Sequence, residues 1–447
     1  MALIRAIDLF AGAGGFSLGF CLAGIEVVAA VEYHKPATMT YAHNFPEHLV
    51  YHQDIKQLQP EIVENDLKER GLTRNDIDLV IGGPPCPGFS NIGRSKIISL
   101  IRDGVWDGDE TRHRFVQDPR NTLFLRFVDY VKHFRPRGFV MENVTGMMTS
   151  INKDGVSIPK LIEDEFDRIG YTCKLKELKA EEYGVPQVRR RLIFIGWKQD
   201  SPEDAFSHPA PTSNRVWTSL EAISDLPDVG LDGATITHRN PSKNDYQRDM
   251  RFALYKRRGM ISPESQSVPQ RAGKLSCHQG RRVNPRDRAI FPELQHPKNG
   301  TRNTYDKIDP SVLNFPKPWI WNAKIQRVIN PKKDTKPHQY KWYDRKQFKD
   351  KMRRIPYHQP CYTLVAHMHN DAYMFIHPEP NTHRTITPRE SARIQSFPDH
   401  FDFSAGGVVS FTEQYRQIGN AVPPLMAMAI ACSILEAWKG NSNISSF

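Results

Sequence analysis

The first 198 residues predict an α/β fold, and three features of the sequence carry that expectation. Short apolar runs at 4–10, 26–31, 77–81, 138–141 and 192–195 read as buried strands, with helical patterns between them. A glycine-rich turn follows the first run, in Asp8-Leu-Phe-Ala-Gly-Ala-Gly-Gly-Phe-Ser-Leu-Gly-Phe20, and an acid, Glu32, ends the second. Together they describe an open, Rossmann-like sheet whose ligands bind outside the carboxyl ends of its strands.

Each element supports this reading in turn. The glycine turn lets backbone approach a ligand closely. A dinucleotide fingerprint starting at Gly12 requires glycine at position 17, where Ser17 stands, so a nicotinamide cofactor is disfavoured. Glu32 follows Gly12 by 20 residues, where a nucleoside-binding unit places the carboxylate that accepts ribose hydroxyls, although strand-end acids are also often simply exposed. The third run leads into Gly82-Gly-Pro-Pro-Cys-Pro-Gly-Phe-Ser90. Cys86 therefore sits at a strand's carboxyl end on a backbone fixed by prolines, which suits a nucleophile; a lone Pro-Cys pair would equally describe a small buried thiol. Leu123, Phe124, Phe127, Val128, Val131 and Phe134 then share one helical face, as a crossover helix requires. Met141-Glu-Asn-Val144 ends the fourth run, and Gln187-Val-Arg-Arg-Arg191 precedes the fifth.

The chain has 447 residues, enough for roughly two or three domains. Its 39% apolar content and the absence of repeats exclude disordered and solenoid classes. Six cysteines at 21, 86, 173, 277, 361 and 432 form no Cys-x-x-Cys pair, which argues against a disulfide framework or zinc finger and for a reducing compartment. The amino terminus enters a strand without a signal-peptide pattern, so a cytoplasmic protein is expected. Residues 421–438 approach membrane-span length but carry Pro423, Pro424 and Glu436, as a core helix would. No metal is expected: Asp107, Asp109 and Glu110 miss the EF-hand spacing, and His367 and His369 have no completing ligands.

Charge is distributed unevenly. Residues 201–355 hold 30 Lys and Arg against 16 Asp and Glu, a balance of +14, which leaves the rest of the chain at −3. An excess confined to one segment marks a polyanion-binding surface, here nucleic acid. The same segment is rich in proline and asparagine, with Trp319, Trp321, Trp342 and Tyr343 among its basic residues. The expected organisation is a catalytic and cofactor-binding domain at 1–198, a loop-rich domain at 199–355, and a return segment at 356–447 that completes the first domain. Within that segment Thr387, Pro388 and Glu390 form a helix-start signal.

Taken with Thr385-Ile-Thr-Pro-Arg-Glu-Ser-Ala-Arg-Ile-Gln-Ser-Phe-Pro398 and Gln417-Ile-Gly-Asn-Ala-Val-Pro-Pro424, these motifs resemble the DNA cytosine-5 methyltransferase family over residues 1–198 and 356–439. The resemblance implies an S-adenosylmethionine-dependent methyltransferase sheet with a smaller target-recognition domain, acting on double-stranded DNA. It is similar to the modification enzymes of prokaryotic restriction systems, which implies a possible partner endonuclease gene; nothing in the sequence demands a dimer, and a monomer is expected. It assigns Cys86 as the nucleophile that adds to cytosine carbon 6, because carbon 5 is too weak a nucleophile to accept a methyl group unaided. Glu142 would hydrogen-bond ring nitrogen 3, Asn143 would help fix the cysteine loop, and Arg189 and Arg191 would lie near the base carbonyl and phosphate. For the cofactor it implies Phe10, Ala13 and Gly15 lining the site, Glu32 on the ribose, Asp54 and Ile55 at the adenine, and Pro85, Leu123, Asn420 and Val422 closing the pocket. Residues 91–117, with three glycines and several basic side chains, are expected to form a mobile lid over a flipped base. Pro87 departs from the glutamine many members carry after the nucleophile. Two rivals remain: an RNA cytosine methyltransferase of the same fold, disfavoured by the long basic segment, and a catalytically silent nucleic-acid-binding protein, disfavoured by intact Cys86, Glu142 and Arg191.

Overall fold

The computed structural model describes residues 3–85, 123–151, 155–230, 233–235, 237–238, 240–252, 275–294, 305–331, 339–344, 351–370 and 372–441. A seven-stranded sheet organises them. Its strands are β1 (Arg5–Leu9), β2 (Glu26–Glu32), β3 (Leu49–His52), β4 (Leu79–Gly82), β5 (Gly138–Val144), β6 (Tyr171–Lys179) and, after a two-residue β7 (Gln187–Val188) outside this sheet, β8 (Arg190–Lys198). The spatial order is β3-β2-β1-β4-β5-β8-β6. The first five run parallel, and β8 enters antiparallel between β5 and β6. The chain winds outward from β1 in both directions, which opens a crevice at the carboxyl ends of β1 and β4.

The five expected strands are present, and β3 and β6 are additional. Both lie at sheet edges. β3 is only four residues long, and β6 reads Tyr-Thr-Cys-Lys-Leu-Lys-Glu-Leu-Lys with most of its side chains at least partly exposed, so neither offers an apolar run. Lysine-rich and short edge strands resist pairing with other chains.

Helices cover both faces: α1 (Gly15–Ala23), α2 (Lys35–Asn44), α3 (Pro60–Glu69), α4 (Leu123–Phe134) and α5 (Ile158–Arg168). Alternation along the strands sorts the two cores. Ile7, Leu9, Val80 and Phe139 face Phe127, Val131 and Phe166 on one side, and Ala6, Ile81, Val140 and Ile195 join the core of α1 on the other.

Downstream come α6 (Ser219–Ile223), α7 (Asp245–Phe252), α8 (Pro285–Ile290), α9 (Pro388–Ile394), α10 (Phe411–Asn420) and α11 (Pro424–Asn441). The expected helix start at Thr387 is a capping box, with Thr387 Oγ1 accepting from Glu390 N and Glu390 Oε2 from Thr387 N. α11 packs on α1 so closely that a Cβ at Gly19 would lie 2.5 Å from Ala427 Cβ. Residues 411–438 are long and apolar enough to cross a membrane by composition, yet they break between α10 and α11 and most of the stretch is buried inside the protein.

The middle segment does not leave the main core at residue 199. Trp217, Ala222, Ile223, Leu226, Tyr246, Met250 and Leu275 pack into the same cluster as α1 and α11. A separate core gathers Ile290, Phe291, Leu294, Tyr305, Val328, Trp342, Met352 and Ile376 around a small antiparallel sheet, β9 (Ile320–Asn322), β10 (Arg327–Ile329) and β11 (Gln339–Lys341). β12 (Cys361–Tyr362) pairs with β7 in a separate two-stranded sheet, tying the return segment to the stretch that leads into β8.

Candidate active site

β5 and β8 bring the first candidate pair together. Their register sets Val144 opposite Arg191 and Glu142 opposite Ile193, so Glu142 and Arg191 are diagonal neighbours on one face. Arg191 Nε lies 2.5 Å from Glu142 Oε1, and each side chain is only 13% exposed, so the pair is largely withdrawn from solvent screening. The loop leaving β4 runs across this pair: a Cβ at Gly83 would lie 3.1 Å from Glu142 Oε2. Asn143, buried next to it, donates from Nδ2 to Pro84 O at 3.1 Å and accepts at Oδ1 from Val144 N at 2.9 Å. It thereby fixes the start of the cysteine loop. Pro85 is exposed at the end of that anchored stretch, and Cys86 and the expected lid at 91–117 lie outside the described residues.

The glycine turn shapes the neighbouring crevice. Phe10 adopts a left-handed backbone at φ 58° as the chain leaves β1, and Ala11 N donates to Val31 O. Glu32 lies partly buried at the end of β2. Its Oε2 accepts from Gly12 N at 2.8 Å and its Oε1 from His34 N at 2.6 Å. Burial pushes this carboxyl above its ordinary range; the His34 and Gly12 amide donors and the charge of neighbouring His34 offset part of that, and no guanidinium or ammonium forms an ion pair with it among the described residues. Ala13, Gly15, Ile55, Leu123 and Val422 are buried. A Cβ at Gly15 would sit 2.2 Å from Val422 O, so only glycine lets the return segment close on the turn. Asp54 caps a turn instead, with Oδ1 accepting from Lys56 N at 3.0 Å and its carbonyl from Gln57 N. Asn420 ends α10 exposed.

Arg189 takes a different place from Arg191. It is fully buried and donates from Nη1 to Leu364 O and from Nη2 to Gly419 O and Ala421 O, at 3.0–3.1 Å. Burial, with nearby Arg191, holds its pKa well below the usual guanidinium range, against the opposing pull of Glu142. Its guanidinium grips the backbone on both sides of Asn420.

Two further residues here escaped the sequence reading. Tyr33 directly follows Glu32 and is 71% exposed, an unpacked ring at the carboxyl end of β2. Asp8 is fully buried beneath the turn, where Oδ2 accepts from Ser17 Oγ at 2.6 Å; Ser17 meets Tyr41 Oη at 2.6 Å, and Tyr41 meets His48 Nδ1 at 2.9 Å. Burial lifts the Asp8 pKa to about 7 despite the Ser17 hydrogen bond. An aromatic after a strand-end acid, and an acid inside an apolar run, were the available signals. Among the described residues no group of three or more His, Cys, Asp or Glu is placed to hold a metal ion.

Sheet order, the reversed β8 and a carboxylate clasped by the glycine turn define an α/β protein of the methyltransferase type. The family model for C-5 cytosine-specific DNA methylases matches residues 4–436, and the chain belongs to that family. It is accordingly a transferase that methylates cytosine in DNA. The chain is 34% identical over 440 residues to the type II methyltransferase M.DdeI of Desulfomicrobium norvegicum, covering 96% of this chain and 88% of that one. It is 30% identical over 463 residues to the type II methyltransferase M.AgeI of Thalassovita gelatinovora, covering 97% of this chain and all of that one. A DNA modification methyltransferase encoded within an E. coli prophage has a similar solved structure, with TM-score 0.63, 25% identity, and 98% and 99% of the two chains covered.

Proposed function

We propose that the protein methylates a cytosine flipped out of a specific double-stranded DNA sequence, through a transient bond from Cys86, as the modification half of a restriction system. The observation that carries this reading is the Glu142–Arg191 pair lying against the backbone that leads to Cys86. Acid, guanidinium and the backbone of residues 83–85 that leads to Cys86 thus lie at the same strand ends as the glycine turn.

S-adenosylmethionine fits the residues present, and when bound it supplies the methyl group that carbon 5 takes up. Glu32 would accept the ribose hydroxyls, since its carboxyl is oriented by two backbone donors and is gripped by no guanidinium among the described residues. The open Tyr33 ring would stack on the adenine beside Ile55. Phe10, Ala13, Gly15, Pro85, Leu123, Asn420 and Val422 would line the rest, with Asp54 shaping the adenine end through its turn. Arg189 is a positioning residue that holds the backbone around Asn420.

In the reaction the Cys86 thiolate bonds to carbon 6, and the displaced ring electrons make carbon 5 nucleophilic. Glu142 hydrogen-bonds ring nitrogen 3 and Arg191 stabilises the charge that develops on the ring. After carbon 5 is alkylated a base removes its proton, the ring double bond re-forms, and the thiolate leaves.

Residues 199–355 would read the target, with basic side chains neutralising phosphates. The type II relatives support a paired endonuclease, and the five described cysteines, all free, support a cytoplasmic setting; we take the protein to act as a monomer. The test is incubation with methyl-labelled S-adenosylmethionine and either duplex DNA or tRNA, followed by digestion to nucleosides. Label in 5-methylcytosine from DNA is expected; label on adenine, or only on tRNA, overturns the reading. Cys86→Ser should lower turnover by at least about 10⁴-fold while duplex binding persists.

A further inference from the structure

The small sheet β9–β11 has two unlike faces. Val328, Trp321 and Tyr340 are directly opposite one another and turn inward onto the separate core. The next residues along each strand point the other way, so Arg327 stands opposite both Asn322 and Lys341, and Ile329 opposite both Ile320 and Gln339. This outer face is open: Ile320 is 48% exposed, Lys341 is exposed, and Arg327, Ile329 and Gln339 are partly so.

The face is also unsatisfied. Among the described residues the side chains of Arg327, Gln339 and Lys341 have neither a hydrogen bond nor an ion pair. Like charges directly opposite destabilise a sheet, yet Arg327 and Lys341 face each other with no acid between them. Asn322 differs, because its Oδ1 accepts from Lys324 N at 3.1 Å and shapes the β9–β10 turn. A row of uncompensated donors beside a row of isoleucines is matched by an anionic partner with polar edges and methyl groups. The surrounding segment carries the whole positive excess of the chain.

We propose that the outer face of β9–β11 sets the target sequence, with Arg327 and Gln339 reading bases in the major groove of DNA and Lys341 anchoring a phosphate. This rests on the DNA reading above and deepens it. A major groove about 12 Å wide admits a two-stranded ribbon, and β10 with β11, about 4.8 Å apart, carry Arg327, Ile329, Gln339 and Lys341, with β9 at the groove's rim. Positions two apart on a strand are separated by about 6.6 Å, close to two base-pair steps of about 3.4 Å, so the Arg327 and Ile329 rows address base pairs two apart. Arg327 offers a bidentate fork to guanine, Gln339 offers one donor and one acceptor to adenine, and Ile320 with Ile329 meets thymine methyls.

The test is methylome sequencing of a host expressing the full chain, as wild type and as Arg327→Ala, Arg327→Lys, Gln339→Ala and Lys341→Ala, with S-adenosylmethionine affinity and sedimentation measured on each. Arg327→Ala and Gln339→Ala should each relax one position of the methylated motif, with discrimination falling about 5- to 150-fold. Arg327→Lys keeps the charge and loses the fork, so it should relax the same position even if the alanine variant fails to fold. Lys341→Ala should weaken binding to all sequences alike and reduce the salt slope by about one. An unchanged motif in folded Arg327→Lys and Gln339→Ala, shown by wild-type cofactor affinity, overturns the proposal. So does a change confined to self-association, which would make the face a contact between copies. A wild type that leaves no 5-methylcytosine in DNA sinks the function itself, which separates that failure from this one.

Discussion

At the carboxyl ends of β1 and β2, Asp8 and Glu32 are held by hydroxyl and amide donors, whereas on the return segment each buried acid meets a guanidinium. Arg393 bridges Asp225 and Asp399, all three fully buried, and Arg384 grips Glu390 with two hydrogen bonds at 2.7 and 2.8 Å. The consequences are opposite. Burial pushes Asp8 and Glu32 up. It acts in the same sense on Glu390 and Asp399, but their arginines outweigh it and both carboxyls fall below the usual range. A carboxylate buried with its cation is scaffold, complete in itself. One buried without a guanidinium stays available, and here such acids cluster where the cofactor would lie.

The sharpest way to break this contrast is at Arg393. Arg393→Met would leave Asp225 and Asp399 buried, with Arg251 for Asp225 and His238 for Asp399 as the remaining direct ionic partners among the described residues. Removing one partner of a buried ion pair costs about 3–5 kcal/mol, so urea denaturation should show a loss of that size. A loss below about 1 kcal/mol would mean the cluster is not the scaffold described.

Asp8 gives the next effect, with a pH signature. Its folded pKa of about 7 exceeds its unfolded value near 3.8, so between those limits the folded state keeps a proton that the unfolded state has released. Stability then falls as pH rises, by about 1.4 kcal/mol per unit, or about 3 kcal/mol between pH 4.5 and 7. The arginine-paired acids work in the reverse sense. Their contribution is fully present above their unfolded pKa near 4 and is lost only as pH falls further. Asp8→Asn keeps a partner for Ser17 and should flatten the decline above pH 4.5 without touching acid unfolding. An unaltered stability profile in that window would place the titration elsewhere.

Much of this was legible in the sequence, and the remainder has a physical reason for being hidden. Five strands, the crossover helix and the Thr387 cap follow from apolar spacing and cap chemistry, and the offset from Gly12 to Glu32 follows from the strand–turn–helix unit. The edge strands β3 and β6 do not, because a half-solvated strand carries too few apolar residues to announce itself. The division of the middle segment was also hidden, since Trp217 and Tyr246 look like the aromatics of the small core but pack with each other in the main core. Least legible was the arginine run. In Gln-Val-Arg-Arg-Arg, residues 189, 190 and 191 are chemically alike, and only the strand register sends Arg190 to the surface Glu177, Arg191 to Glu142 and Arg189 inward.

Glu32 sharpens the comparison further, because its value should appear in binding more than in folding. Glu32→Gln retains the shape and an acceptor for Gly12 N, yet loses the charge that hydrogen-bonds two ribose hydroxyls. Charge-assisted hydrogen bonds contribute about 1.5–3 kcal/mol, so S-adenosylmethionine affinity measured by calorimetry should fall about 10- to 150-fold. Stability should hold or rise, since a raised carboxyl pKa is a cost of burial. Weaker folding with unchanged affinity would make Glu32 a scaffold residue after all.

Arg189 tests the contrast from the cationic side and should give the smallest effect. It is a buried guanidinium without an acid in its grip, but its three acceptors are carbonyls of the same return segment that carries Asn420 and Val422. Lysine at this position keeps the charge and reaches fewer of those carbonyls, because an ammonium cannot span the fork. Losing one such bond costs about 1 kcal/mol, which corresponds to about a 5-fold weaker cofactor KM with kcat nearly unchanged. Arg191→Lys, which alters the side chain touching Glu142, should instead lower kcat. If both variants lowered kcat alike and left KM alone, Arg189 would belong with the reacting groups, and the inward placement of its guanidinium would not describe the working enzyme.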